Sequence, residues 1–341
     1  MQTVTGNKAA AVARSAAARL AAMVEPDGRF TYRYFRDDPS FVNTMYSEVR
    51  HVAAVWALID FERQGWAIPG LAEAIDRAAG FMTASLFRPY GSADALCVHD
   101  EGFIKLAGSA VGVAASIRLH RRSGDADHLD RAARLARYVE LQRLPDGDFV
   151  QVRTAGPISE PHPLRAEPFM GQGVFALALA AEATGESRWL DQALDSARKL
   201  AGRGHGIGAL AHWMAYALEA LVCIRREPWL VDYGARMARS MIDDEASRRD
   251  GTSTPIACQT EGLLAYARLR AALGGDADPS VEAVMKRIAG NLRRQLAFHD
   301  PSGGFVHSRD KQEVRIDYVM HNGLGFLGYA RLAAGSRGGR R

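Results

Sequence analysis

In this 341-residue chain, residues 122–132 read RSGDADHLDRA and residues 183–193 read ATGESRWLDQA, and the two stretches align with each other. In each, a glycine follows a long apolar segment and stands two residues before an amphipathic one. A glycine at this place is typical of a helix end, and the Asp or Glu that follows favours the start of the next helix. The repeat of the unit predicts a stacked array of helical hairpins.

On either side of these turns, the helical segments are of two alternating kinds. Segments of the first kind are amphipathic, with apolar residues at helical spacing on one face, and include Ala126–Gln142, Ser187–Ala201 and Pro228–Ile242. Such segments start near residues 7, 69, 126, 187, 228 and 279. Each of them is expected to cover a core with one face and to meet water with the other.

Segments of the second kind are apolar on nearly all sides and rich in small residues. They are Val49–Phe61, Ile104–Leu119, Gly171–Ala183, Leu210–Ile224, Glu261–Leu273 and Tyr318–Ala333. A helix without a polar face has to be covered all round. The alternation therefore predicts an all-α fold, an (α/α)6 toroid of six outer–inner hairpins with the apolar helices inside. An open solenoid is the alternative, and closure is favoured because neither end of the array carries a polar cap.

The connections that lead into the inner helices are longer. Three of them contain a turn followed by an aromatic residue: Pro26–Phe30 (PDGRF), Pro145–Phe149 (PDGDF) and Pro301–Phe305 (PSGGF). The glycines suit tight turns, so short β-hairpins are expected on one rim. Because no linker interrupts the pattern, we expect a single domain over residues 1–334 and a flexible basic tail over residues 335–341.

The composition excludes several classes of protein. Hydrophobic residues make up 48% and charged residues 24% of the chain, and the net charge is +4 without a basic tract, which argues against nucleic-acid binding. No run approaches the roughly 18 apolar residues of a membrane span. Cys97, Cys223 and Cys258 form no CxxC motif, which argues against disulfides and a cysteine-based zinc site. Since the N-terminus lacks the order of a signal peptide, a cytoplasmic location is expected.

Five stretches carry a resemblance to a known family. They are Glu48–Leu58 (EVRHVAAVWAL), Lys105–Ala115 (KLAGSAVGVAA), His212–Leu221 (HWMAYALEAL), Ser253–Ala265 (STPIACQTEGLLA) and Val314–Leu332 (VRIDYVMHNGLGFLGYARL). With them the chain resembles the six-hairpin glycosidase-like superfamily. The resemblance implies the toroid fold and the activities of that superfamily, which are glycoside hydrolysis, polysaccharide elimination and sugar epimerisation. Lanthionine-cyclase toroids are excluded because no cysteine here is followed by histidine.

In a closed ring the inner helices all start at one rim, where their free N–H groups make the mouth of the lumen electropositive. Polar residues near these starts are the candidate site. The first inner helix opens with Glu48, Arg50 and His51, of which Glu48 and His51 share a helix face. These two are interpreted either as substrate contacts and proton carriers or as a helix cap and a core histidine.

The second inner start is flanked by Asp100, Glu101 and Lys105. Lys105 lies in an otherwise uncharged apolar run, so it requires a carboxylate partner, and Asp100 or Glu101 is the near candidate. The third and fourth inner helices offer Gln172, and then His212, Trp213 and Tyr216, for substrate binding, with local hydrogen bonding and core packing as the alternatives.

The last two inner helices carry the largest number of polar candidate residues close together. Glu261 is the one acid in its apolar segment, and a buried isolated carboxylate would have the raised pKa of a general acid. At the sixth start, Asp317 can cap the helix or orient His321, which lies four residues on. Arg315 and Tyr318 would then contact a substrate carboxylate and hydroxyl.

These candidates predict a carbohydrate-active enzyme that works by general acid/base catalysis on a small-molecule or oligosaccharide substrate, with no redox cofactor and no metal. Glycosidic hydrolysis is the first hypothesis, and its catalytic residues are Asp317, His321, Asp100 and Glu261. The alternative is a sugar or uronate epimerase or lyase, with proton carriers His321, His51, His212 and Tyr318. A third hypothesis is a cyclase or a toroid that binds a hydrophobic ligand, which would have an apolar, dry lumen.

Overall fold

A computed structural model describes residues 4–100, 102–156, 158–209, 211–245, 251–274 and 278–338. These residues contain twelve α-helices, which alternate between an outer and an inner layer. The outer helices are α1 (Gly6–Ala22), α3 (Leu71–Phe81), α5 (Ala126–Leu141), α7 (Ser187–Gly202), α9 (Pro228–Asp243) and α11 (Val281–Gln295). The inner helices are α2 (Glu48–Glu62), α4 (Leu106–Ser123), α6 (Pro168–Thr184), α8 (His212–Ile224), α10 (Ser253–Leu273) and α12 (Ile316–Gly338).

The inner helices form a closed ring. Each of them packs against the next, and the last, α12, packs against the first, α2. Their side chains are buried on all faces, as the lack of a polar face requires; in α2 every residue from His51 to Phe61 is buried. The predicted (α/α)6 toroid is confirmed.

The turns that suggested the repeat have the expected geometry. Gly124 ends α4 with φ 76° and Gly185 ends α6 with φ 78°, both in the left-handed region that favours glycine. After the first turn, the Asp125 side chain accepts the backbone N–H of Asp127 and caps α5. These caps fix where one helix ends and the next begins.

The connections into the inner helices carry antiparallel strands at one rim. Strand β1 (Arg33–Phe35) pairs with β6 (Glu313–Arg315). The second sheet has the order β2 (Phe87–Tyr90), β3 (Ser92–Asp100), β4 (Phe103–Lys105) and β5 (Val152–Thr154). The rim hairpins are thus confirmed, although this four-stranded sheet is larger than the sequence suggested. The three aromatic turns each close with a single bridge, between Val24 and Phe30, Arg143 and Phe149, and His299 and Phe305.

Three boundaries differ from the expected ones. Helix α10 begins at Ser253, so Glu261 lies about two turns inside it and not in its first turns. Lys105 ends strand β4 and precedes helix α4, because the rim sheet extends to that residue. Helix α12 continues to Gly338, beyond residue 334, where the sequence predicted a tail. No helix in the described ranges has the length and apolar character to cross a membrane.

Close contact between inner helices requires glycine at one position. A Cβ atom on Gly171 of α6 would lie 2.4 Å from the backbone nitrogen of Met214 in α8. Backbone cannot yield as a flexible side chain can, so even a methyl group would push the two helices apart.

We therefore expect Gly171→Ala to lower the free energy of unfolding by about 2 kcal/mol or more, measured by urea denaturation. The matched control is Gly80→Ala in outer helix α3, where a Cβ atom would have no neighbour within 4 Å. This control should be neutral or stabilise by up to about 1 kcal/mol, because alanine favours helix. Equal stability of the two variants would contradict the close packing of α6 on α8.

Candidate active site

The amino-terminal ends of the inner helices meet at the rim that carries the strands. One polar cluster there centres on Asp317, in the first turn of α12. Its carboxylate accepts two hydrogen bonds from Arg315, at 2.6 and 2.9 Å, and one from Arg50 of α2, at 3.1 Å. Arg50 also donates to the hydroxyl of Tyr32, at 2.9 Å. Two guanidinium groups, one at the end of strand β6 and one on inner helix α2, are thereby fixed on one buried carboxylate.

This ion-pair cluster sets the charge of Asp317. Burial alone would raise the pKa of the carboxyl, but the hydrogen bonds and charges of Arg315 and Arg50 outweigh burial and lower it. Asp317 is therefore ionised, and both of its carboxylate oxygens accept hydrogen bonds from arginine. The predicted pair in which Asp317 orients His321 is not formed, because His321 bonds to Glu261 instead.

Tyr318 lies beside this cluster. The guanidinium of Arg315 stands over its ring, 4.3 Å from the centroid, and the ring of His307 is 5.4 Å away. Burial raises the pKa of the Tyr318 hydroxyl to about 12, so the phenol stays protonated at neutral pH and can donate a hydrogen bond.

A second polar cluster joins the start of α2 to the rim sheet. Asp100, only 1% exposed, forms a salt bridge with Lys105 and accepts the backbone N–H of Glu48 at 2.8 Å. The partner predicted for Lys105 is confirmed. Burial raises the pKa of Asp100, but hydrogen bonds from Glu48 and Lys105 prevail and lower it, so this carboxylate is also ionised. Glu101 lies outside the described residues.

A third cluster lies deeper in the ring and centres on Glu261. One oxygen of its carboxylate accepts the hydroxyl of Tyr216 at 2.5 Å, and the other lies 2.7 Å from Nδ1 of His321. The three residues come from α8, α10 and α12. Glu261 is thus buried but not isolated, and it orients His321 through Nδ1 of the imidazole.

His212, the first residue of α8, faces His321. The two imidazole rings are 5.4 Å apart between centroids and nearly perpendicular, at 89°. Among the described residues, neither ring nitrogen of His212 has a hydrogen-bond partner, although the side chain is buried. Burial, and then the charge of His321, lower the pKa of His212 well below its usual value. The pKa of His321 is raised well above its own, because Cys258 and Glu261 outweigh its burial. The pair therefore combines a neutral imidazole with a protonated one.

The same place could hold a metal ion. Ligand atoms of His212, Cys258 and His321 all lie within 4.8 Å of one another. Two imidazoles and a thiol suit zinc, and a carboxylate on the far nitrogen of a ligating histidine, as Glu261 is on His321, is a common second partner in such sites. Sequence analysis missed Cys258, whose one local signal is its position three residues before Glu261 on the same apolar helix.

Below these clusters, aromatic rings close the middle of the lumen. Trp56, Phe175, Trp213 and Tyr216 come from α2, α6 and α8, and their ring centroids lie 5.7 to 6.0 Å from their neighbours. We call these four residues the aromatic layer. It separates a polar, charged mouth on the strand side from a second space on the opposite side. The strand side of the layer thus carries charged side chains, which a dry, apolar lumen for hydrophobic ligands would be expected to lack.

Two predicted residues stand apart from the clusters. His51 faces outward, away from the lumen: its Nε2 donates to the carbonyl oxygen of Ala78 in α3, and its Nδ1 accepts the hydroxyl of Tyr46. It is fully buried, which favours the alternative of a core histidine. Gln172 lies in the second turn of α6, and its buried amide oxygen has no partner among the described residues.

The contribution of Lys105 can be measured as a change in the free energy of unfolding. We expect Lys105→Met to lower the free energy of unfolding at pH 7 by about 3 kcal/mol, because it leaves the buried charge of Asp100 without its cation. The deficit should shrink in acid, where Asp100 becomes protonated. The matched control is Lys311→Met: its partner Glu313 is equally buried but keeps Arg33 at 3.4 Å, so the loss should stay below about 1 kcal/mol. Equal losses measured by urea denaturation would contradict this.

The buried His51 predicts a pH dependence of stability. Burial lowers its pKa to about 4, against about 6.5 in the unfolded chain. The unfolded state therefore binds more protons between these values, and stability is lost as the pH falls from 6.5 to 4, by about 3 kcal/mol. His51→Gln should flatten this part of the urea-denaturation profile, whereas His120→Gln at the end of α4 should leave it unchanged. An unchanged slope in His51→Gln would show that the histidine is protonated in the folded state.

Comparison with known proteins supports the architecture. No protein-family model matches the chain, and no curated protein matches its sequence. Among solved structures, a D-mannose isomerase is similar with a TM-score of 0.72 at 12% identity, over 94% of this chain and 96% of the other. Cellobiose 2-epimerase from Bacillus thermoamylovorans gives 0.70 at 12%, over 92% and 95%. The α-1,6-mannanase from Salegentibacter sp. gives 0.68 at 12%, over 95% and 99%. The chain therefore has the fold of the six-hairpin glycosidase-like toroids.

Proposed function

We propose that the protein is a carbohydrate-active enzyme that transfers a proton at a sugar carbon next to a carbonyl group, as an epimerase or isomerase. The observation that carries this proposal is the pair His212 and His321, whose rings are 5.4 Å apart and whose surroundings move the pKa of His212 down and the pKa of His321 up. Groups whose environments move their pKa values in opposite directions are the natural base and acid of one reaction.

The reaction assigns one role to each imidazole. His212 takes the proton from the carbon beside the carbonyl, and the electron pair of that C–H bond forms the double bond of an enediolate, with the negative charge on the former carbonyl oxygen. His321 then returns a proton. Delivery to the opposite face of the same carbon gives the epimer, and delivery to the former carbonyl carbon gives the isomer. Both outcomes conserve atoms and electrons and need no redox partner.

The mouth supplies groups for binding. Asp317 holds Arg50 and Arg315 in place, and their side chains remain 39% and 22% exposed. The side chain of Lys105, which pairs with Asp100, is 27% exposed. Together with the helix amino-termini, these cations favour substrate oxygens that carry or develop negative charge, as an enediolate does.

The carboxylates suit hydrolysis less well than the histidines suit proton transfer. A glycosidase needs one protonated carboxyl group as acid beside an ionised one. Asp100 and Asp317 are both held ionised by cations, and Glu261 is bonded to Tyr216 and His321. The two ionised carboxylates are the one feature that favours hydrolysis, and it is the second candidate, with Asp317 or Asp100 as base or nucleophile. Both activities occur on this fold, in the isomerase, the epimerase and the mannanase named above.

The experiment is incubation with aldoses, cellobiose and uronates in deuterium oxide, followed by NMR. The expected result is deuterium at the carbon beside the carbonyl, together with an epimer or ketose. Release of reducing ends without deuterium on carbon would contradict the proposal and support hydrolysis.

Substitutions test the assigned pair. His321→Gln and His212→Gln should each lower kcat by about two orders of magnitude or more, because each removes a proton carrier. His128→Gln, on outer helix α5, is the matched control and should keep full turnover. Full activity in both site variants would remove the pair from the mechanism.

Treatment with a chelator distinguishes acid/base catalysis from metal catalysis. Protein treated with a chelator should keep its activity, since the proposed histidines act as free imidazoles. Loss of activity on chelation and recovery with zinc would contradict that role and assign His212, Cys258 and His321 to a metal instead.

A further inference from the structure

A second cavity lies on the far side of the aromatic layer, at the carboxyl-terminal ends of the inner helices. Its volume is about 340 Å³, within the range of small-molecule pockets. Trp56, Phe175 and Tyr216 of the aromatic layer form part of its lining. Its other apolar wall residues are Ala114, Ile117, Leu179, Ala220, Leu324 and Leu327. No residue of the three polar clusters described above, apart from Tyr216, lines it.

The polar part of this cavity consists of ion pairs. Arg118 donates two hydrogen bonds to Asp60, at 3.0 and 3.1 Å, and Arg268 donates two to Glu219, at 2.6 and 2.8 Å. At the rim Arg121 pairs with Glu182 at 3.2 Å. Each carboxylate in the lining thus has its own arginine.

Two further arginines line the cavity beyond these three pairs: Arg63, which directly follows α2, and Arg331 of α12. Arg331 donates to the backbone carbonyl of Asp60 at 3.2 Å and to the amide oxygen of Gln64 at 3.3 Å, and neither acceptor is an anion. Arg63 lies 3.7 Å from Asp60, which Arg118 already neutralises. Burial lowers the pKa of Arg331, and the charges of Arg63, Arg268 and Arg118 lower it further, whereas the charge of Asp60 raises it.

We propose that this cavity binds a small organic monoanion, with its carboxylate or phosphate group on Arg331 and Arg63 and its apolar body against Trp56, Leu324 and Leu327. An inorganic anion would leave the apolar walls in contact with water, and a neutral apolar molecule would leave Arg331 and Arg63 without an anionic partner of their own. The site is separate from the proposed active site, because the aromatic layer lies between them, and it does not depend on the proposed activity.

The test uses 4-phenylbutyrate and its neutral analogue 4-phenylbutanol, with calorimetry as the first readout. Phenylbutyrate should bind at least ten times more tightly than the alcohol, and its binding should weaken with salt. Comparable affinity for the two compounds, or no binding of phenylbutyrate, would overturn the proposal. Inorganic phosphate at the same ionic strength should not compete; full competition would show a simple anion site without an apolar part.

The second readout is the reactivity of Cys223, an exposed thiol in the cavity wall, whereas Cys97 and Cys258 are buried. Bound phenylbutyrate should slow alkylation of Cys223 by iodoacetamide at least fivefold, and phenylbutanol at the same concentration should not. Unchanged alkylation in the presence of saturating phenylbutyrate would place the ligand elsewhere.

Substitutions test which arginines bind the carboxylate of phenylbutyrate. Arg331→Gln should weaken phenylbutyrate binding at least tenfold, and Arg63→Gln, whose side chain is 61% exposed and whose loss the fold tolerates more easily, should weaken it by a smaller factor. Arg188→Gln on outer helix α7 is the matched control and should bind as the wild type does. His321→Gln should also retain binding, since it changes only the opposite compartment. Normal binding in both Arg331→Gln and Arg63→Gln would refute the site.

Discussion

Six helices without a polar face must each be covered on every side. A ring meets this requirement, because each inner helix then has two inner neighbours, an outer helix behind it and the aromatic layer in front. Helices α2 and α12 complete the closure, although they lie at opposite ends of the chain. Glycine at close contacts, as at Gly171, lets the backbones approach as nearly as the ring requires.

Closure has an electrostatic consequence, since all inner helices run in the same direction. The positive ends of the helix dipoles lie together at the amino-terminal rim. The carboxylates there, such as Asp317 and Asp100, are ionised and paired with cations. The opposite rim collects negative helix ends, and arginines such as Arg118 and Arg268 cluster there. The two ends of one lumen are therefore chemically different, with the aromatic layer between them.

The candidate chemistry lies where the polar mouth meets that layer. Tyr216 belongs to both, because its ring packs on Trp56 and its hydroxyl bonds to Glu261. Through Glu261 this contact reaches His321, so the orientation of one imidazole depends on the packing of the aromatic rings. A rigid, largely dry support of this kind keeps proton carriers in fixed positions.

The sequence predicted the hairpins, their glycine turns, the inner and outer faces and a carboxylate partner for Lys105, either Asp100 or Glu101, since each depends on periodicity or on residues close in the chain. It did not determine that His51 faces an outer helix, that His321 bonds to Glu261 and not to Asp317, or that Cys258 joins the two histidines. Those features depend on how each helix is rotated about its axis and on contacts between separate hairpins. Only the packing of the closed ring sets that rotation, because an inner helix that is apolar on all sides has no polar face to reveal which side points to the lumen.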